Sequence, residues 1–109
     1  MKLSVLLPAA ALLTACAFHN SVDRAPGAPN LPPSSSAVTV AAAPVGAVLL
    51  GTVTVQANNH QNGADCEAQA LFEAKKIGAT HVVVRPAESG FGKGPKCTGE
   101  AYFLALVSP

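Results

Sequence analysis

The sequence predicts an α+β fold, a small β-α-β-β domain in which one helix packs on a three-stranded sheet. Three observations lead there. β-Branched residues alternate in "AVLLGTVTVQ", a stretch dense in helix formers follows in "ADCEAQALFEAKKIGA", and two more apolar runs, "THVVVRP" and "CTGEAYFLALV", flank a glycine-rich loop. A strand repeats its faces every two residues and a helix every 3.6, so the two kinds of pattern identify different elements.

The first strand is expected from about Ala47 to Gln56, where Thr52, Val53, Thr54 and Val55 alternate. "NNHQNG" is a loop, and its Asn62 stands three residues before Asp65, the spacing of a capping box. In the helix that follows, Cys66, Ala70, Ala74 and Ile77 fall at i, i+4, i+8 and i+11, with Leu71 beside them. That stripe faces the core and turns Cys66 inward in the first turn, while its alanines allow close approach to the sheet. Gly78 is a natural stop. "THVVVRP" is a short apolar strand ended by Pro86, and "AESGFGKGPK" is a loop. The final strand opens at Cys97. The crossover is expected to be right-handed, with strand order left open.

A three-stranded sheet covered by one helix should be polar on its open face. Here Phe103, Ala105 and Val107 fall on one face of the last strand, and Tyr102, Leu104 and Leu106 on the other. In the first strand Val48 and Leu50 oppose Leu49, Val53 and Val55. The sheet therefore reads as apolar on both faces. Either the preceding segment folds over it, or it is a surface for a partner or a second copy.

That preceding segment, "SVDRAPGAPNLPPSSSAVTVAAAPVG", is rich in proline, glycine, alanine and serine. Such composition excludes a helix or a central strand and predicts a disordered, semi-extended tether over residues 16–44. Val38-Thr39-Val40 alone has strand character and could dock on the domain. The folded part is expected over residues 45–109, a size that buries only about 60% of its unfolded surface.

At the start, Lys2 supplies one positive charge and Leu3 to Leu13 is apolar apart from Ser4. That run falls short of the roughly 20 residues a spanning helix needs, and has the form of a signal peptide over residues 1–15. It exits through Leu13-Thr14-Ala15-Cys16, which resembles the bacterial lipobox. The resemblance implies that the Cys16 thiol is alkylated by a diacylglyceryl group and becomes, after cleavage, an N-acylated (palmitate-type) first residue. One acyl chain binds membranes marginally and two bind stably, so the mature chain would be anchored without spanning. Ala17 in place of an aspartate favours the outer membrane by the common sorting rule. Of three cysteines, Cys66 and Cys97 then remain as an even pair in an exported protein, which reads as a disulfide.

A lipobox, a proline-rich tether and a small α+β domain ending in "KKIGATHVVVRP" and "CTGEAYFLAL" together resemble the Rcs stress-sensor lipoproteins (RcsF-like) of the proteobacterial envelope and related uncharacterised lipoproteins. The likeness covers residues 47–107. It lies in Gly78-Ala79-Thr80-His81-Val82-Val83 after the helix, and in Cys97, Gly99 and Ala101 opening the last strand. It implies an envelope interaction or stress-sensing module. The chain departs from that pattern in having domain cysteines for one disulfide instead of two, and a tether whose only basic residue is Arg24.

Other chemistry is weakly supported. Seven Lys and Arg, less Lys2, balance six Asp and Glu, so no basic footprint for nucleic acid exists. His60 and His81 with Cys66 and Cys97 supply the ligand types of a zinc site, but without its tight spacing. A metal- or small-ligand-binding lipoprotein is therefore the alternative reading. No nucleophile elbow stands around Ser89 or Ser108. "SGFGKG" lacks the frame of a phosphate loop and precedes no helix. The expectation is a non-enzymatic chain with no catalytic residues, no bound metal, no cofactor and no evident small-molecule substrate, whose partners are the membrane and an envelope protein.

Overall fold

Val53, Val55 and Ala57 alternate with Thr52, Thr54 and Gln56, and this alternation makes the strand on which the sheet is assembled. In the computed structural model, which describes residues 18–90 and 92–105, the elements run β1 (Phe18–Arg24), β2 (Val38–Thr39), β3 (Val48–Ala57), α1 (Gly63–Lys76), β4 (His81–Ala87) and β5 (Lys96–Phe103). They form one five-stranded sheet in the order β1-β3-β5-β4-β2, with α1 on one face. The α+β class and the β3-α1-β4-β5 succession follow the expectation. β3 and β4 are each antiparallel to β5, which lies between them, so they run parallel to one another on either side of it.

The sheet has five strands where three were expected. Both additional strands come from the segment read as a disordered tether, and the folded unit therefore begins well before residue 45. β1 pairs antiparallel with β3 along its whole length, from Phe18 opposite Ala57 to Arg24 opposite Gly51. β2 adds to the far edge, parallel to β4, with Val38 opposite His81. Both are edge strands, which need backbone pairing on one side only and bury little. Five of the seven β1 residues are polar or charged, so no apolar alternation announces it.

Between these edges the proline-rich stretch is an extended strap across one end of the domain. Arg24 donates from Nε to the Leu50 carbonyl at 3.2 Å and from Nη2 to the Pro29 carbonyl at 2.9 Å. Further on, the Ser34 amide donates to the Lys75 carbonyl at 2.9 Å and its hydroxyl to the Ala79 carbonyl at 2.5 Å. Carbonyls at a helix end lack intrahelical donors, and the strap supplies one. Proline forbids helices but tolerates this extended course, because a strap of a few spaced contacts needs few N–H donors.

The helix is bounded as its sequence dictates. Asn62 accepts from the Asp65 amide at 2.9 Å, while Asp65 accepts from the Asn62 amide at 2.9 Å, completing the capping box. At the other end Gly78 takes φ +97°, with Gly78 N donating to Lys75 O and Ala79 N to Ala74 O. That pair of bonds is a Schellman closure, and a positive φ there favours glycine. A side chain at Gly78 would also meet Leu31 of the strap.

Cys66, Ala70 and Ala74 are the buried residues of α1, and they pack over Leu50, Val53, Val55, Val82, Cys97 and Ala101. Gly99 lies directly under the helix, where an added Cβ would stand 3.4 Å from that of Ala70.

The expectation of a doubly apolar sheet holds at one corner of the open face and is corrected for the rest. A bulge between Leu49 and Gly51 inserts an extra residue opposite β5. A bulge reverses the inside-outside phase of everything beyond it, and Leu50 thereby joins Val53 and Val55 in the core. The open face is polar over Ser21, Asp23, Thr52, Thr54, Thr98, Glu100 and Arg85 in adjacent registers, and apolar toward one corner, where Leu49, Tyr102, Val83 and Val38 share it. Leu106 and Val107 lie outside the described residues.

Candidate functional site

Chemistry-bearing residues gather at the end of the sheet where β1 begins, β3 ends and α1 starts. There the inward turn of Cys66 brings it against the first residues of β5. Cys66 and Cys97 are joined by a disulfide with Cα atoms 6.2 Å apart and a sequence separation of 31. Both are buried, at 1% and 5% exposure, so the bridge ties the helix N-terminus to the middle strand from within the core. A bonded, enclosed pair has neither the thiolate nor the access that thiol reactivity requires. Its role is structural.

A cleft of about 260 Å³ beside the bridge is lined by Glu67, Val84, Pro86 and Lys96 among others. A second cavity, of about 320 Å³, opens toward the start of β1 between His19, Gln56, Asn58, Asn59 and Lys93. Among the described residues no carboxylate lines this second cavity.

The glycine-rich loop that borders it is held by named bonds. Gln56 donates from Nε2 to the Gly94 carbonyl at 2.9 Å and to the Ala57 carbonyl at 2.8 Å. The Ser89 hydroxyl donates to the same Gly94 carbonyl at 2.6 Å. The described residues of this connection, Ser89 and Gly94 among them, are accordingly tied to the end of β3.

The histidines named as ligand candidates are not brought together. His60 is exposed in the loop before α1, its amide donating to Asn58 Oδ1 at 2.9 Å. His81 opens β4 opposite Tyr102, whereas Cys97 sits opposite Pro86, five residues further along β4. At about 3.3 Å per residue the length of the strand separates them. His81 Nδ1 lies 2.9 Å from the Thr80 hydroxyl, and both cysteine sulfurs are committed to each other. Among the described residues no group of three or more His, Cys, Asp or Glu side chains could hold a metal ion.

The open face carries one polar cluster that sequence reasoning missed. Glu100 accepts from Arg85 Nη1 at 3.3 Å and from the Tyr102 hydroxyl at 3.3 Å. Burial raises the Tyr102 pKa above its usual 10.0, helped by the Glu100 charge and its hydrogen bond and opposed by Arg85. Cross-strand register alone could have found the Arg85–Glu100 approach. The cluster is an ordinary surface pair with a phenol beside it, worth little to stability when solvated.

Cys16, the residue on which the lipobox reading rests, lies outside the described residues. Among those described, no helix is long and apolar enough to cross a membrane. Comparison of the chain with family models, curated proteins and solved structures finds no match.

Proposed function

We propose that the chain is an envelope lipoprotein, anchored by acyl chains on Cys16 at the outer membrane, with its domain facing the periplasm. It acts there as a non-enzymatic protein-interaction or stress-sensing module. The observation that carries this reading is the Leu13-Thr14-Ala15-Cys16 motif at the end of a short apolar leader. The disulfide between the other two cysteines supports it, because such bonds persist in exported proteins and are rare in reducing compartments.

The contact role draws on composition and on the resemblance to the envelope stress-sensor lipoproteins. Both sulfurs are bonded, the histidines stand apart, and the glycine-rich loop is pinned to β3. Replacing Cys16 by serine removes the nucleophile to be alkylated while leaving every described residue intact. The wild-type chain is expected in the membrane fraction and the Cys16→Ser chain in the soluble fraction. Equal distribution of the two refutes the anchor, and cross-linking of the membrane-bound form identifies the partner.

A further inference from the structure

The end of the domain that would rest against a lipid surface can be read from β1. Its first residue, Phe18, is already paired with Ala57 at the end of β3. Only two Cα-to-Cα steps separate Cys16 from Phe18, a reach of about 7.6 Å at 3.8 Å per step. The headgroup layer on one side of a bilayer is itself roughly 5–8 Å deep. A leash that short cannot lift a domain clear of the surface, as a tether over residues 16–44 would have done.

We propose that the domain sits directly on the bilayer, with the end formed by the 58–62 loop, the 92–95 loop and His19 facing the phosphate headgroups. This rests on the proposed acylation of Cys16. Three features of that end suit a phosphate layer. The cavity beside β1 presents side chains of His19, Asn59 and Lys93, with no carboxylate among the described residues that line it. Nearby Asp65 is engaged in the capping box. The 92–95 loop is tied to β3, since Gln56 and Ser89 both donate to the Gly94 carbonyl. Glu67 lines the adjacent cleft together with Lys96, and Glu88 is exposed beyond β4.

The orientation has a consequence for access. The strap over residues 25–37, the Pro44–Ala47 turn and the Gly78 corner all lie at the opposite end, where β3 begins and α1 ends. That end and the open face are left pointing into the compartment, available to a protein partner.

The test uses the full-length acylated protein in bilayer discs of phosphatidylethanolamine and phosphatidylglycerol containing a lipid with a gadolinium-chelating headgroup. Amide resonances of residues 58–61 and 92–94 are expected to broaden, while those of Gly27, Ser35 and Gly46 stay sharp. Broadening centred on Gly27 and Gly46, or on no region, in a sample whose intact mass includes the acyl chains overturns the seating and leaves the anchor standing. An intact mass without acyl chains overturns both. A second variant carries six Gly and Ser residues inserted between Ala17 and Phe18, which add about 13 Å of r.m.s. length. It is expected to relieve the broadening, and undiminished broadening would overturn the short leash as its cause.

Discussion

Replacing both Cys66 and Cys97 by alanine removes the constraint that most limits the unfolded chain. The bridge spans a sequence separation of 31, for which the chain-entropy relation gives about 12 cal/mol/K, or about 3.7 kcal/mol at 25 °C. Both sulfurs are buried, and the space they leave adds on the order of 1 kcal/mol. A total of about 4–5 kcal/mol is a large share of the 5–15 kcal/mol typical of whole domains. Urea denaturation of a soluble form starting after residue 16 measures it, with the oxidised protein as reference. The thermal midpoint should fall by about 16–40 °C, at roughly 4–8 °C per kcal/mol for a domain of this size. Reducing agent should bring the parent toward the double variant. A loss below about 1 kcal/mol would mean that the helix N-terminus and β5 are held by packing alone, and would refute the structural role of the bridge.

Gly78→Ala should cost about 1–3 kcal/mol, because φ is +97° there and the new methyl meets Leu31. Adding Leu31→Gly, which removes the Cβ that the new methyl meets, should recover part of the cost of the clash, and strictly additive losses in denaturation would deny that the strap packs on this corner. Asn62→Ala should destabilise by about 1 kcal/mol through loss of the capping box, read from the same urea curves. Tyr102 is the sole tyrosine, so phenolate absorbance reports it alone. Its folded pKa is raised above the unfolded value of about 10. The stability it contributes is therefore fully present below pH 10 and is lost as pH rises through the folded pKa. The absorbance midpoint should lie above 10 in buffer and near 10 in urea, and Glu100→Gln should lower the former without abolishing the shift that burial maintains. A midpoint unaltered by unfolding would contradict the burial.

Elements whose determinants are local were legible from residues alone. Asn62 and Asp65 marked the start of α1, Gly78 marked its end, and the alanine stripe marked its buried face. The disulfide followed from counting cysteines once Cys16 was assigned to lipid. What escaped was set by long-range pairing. β1 reads "FHNSVDR", a polar edge strand whose stability comes from the ladder with β3 and not from a face of its own. β2 is two residues long. The strap is proline-rich and was read as disordered because composition reports what a segment cannot form, whereas Arg24 and Ser34 tie it down through bonds to distant carbonyls. The bulge at Leu50 moved one leucine across the sheet, which confines the apolar part of the open face to the corner of Leu49, Val83 and Tyr102. At the candidate site the cysteine pairing was readable. The cavity beside His19 was not, because its walls come from β1, β3 and two loops far apart in sequence.

Membrane attachment through a single sulfur underlies the functional reading, and mass spectrometry of the N-terminal peptide from the membrane fraction examines it most directly. The account predicts a mature chain whose first residue is Cys16 carrying diacylglyceryl and an amide-linked acyl chain. Recovery of an uncleaved chain beginning at Met1, with the Cys16 thiol unmodified, would contradict it.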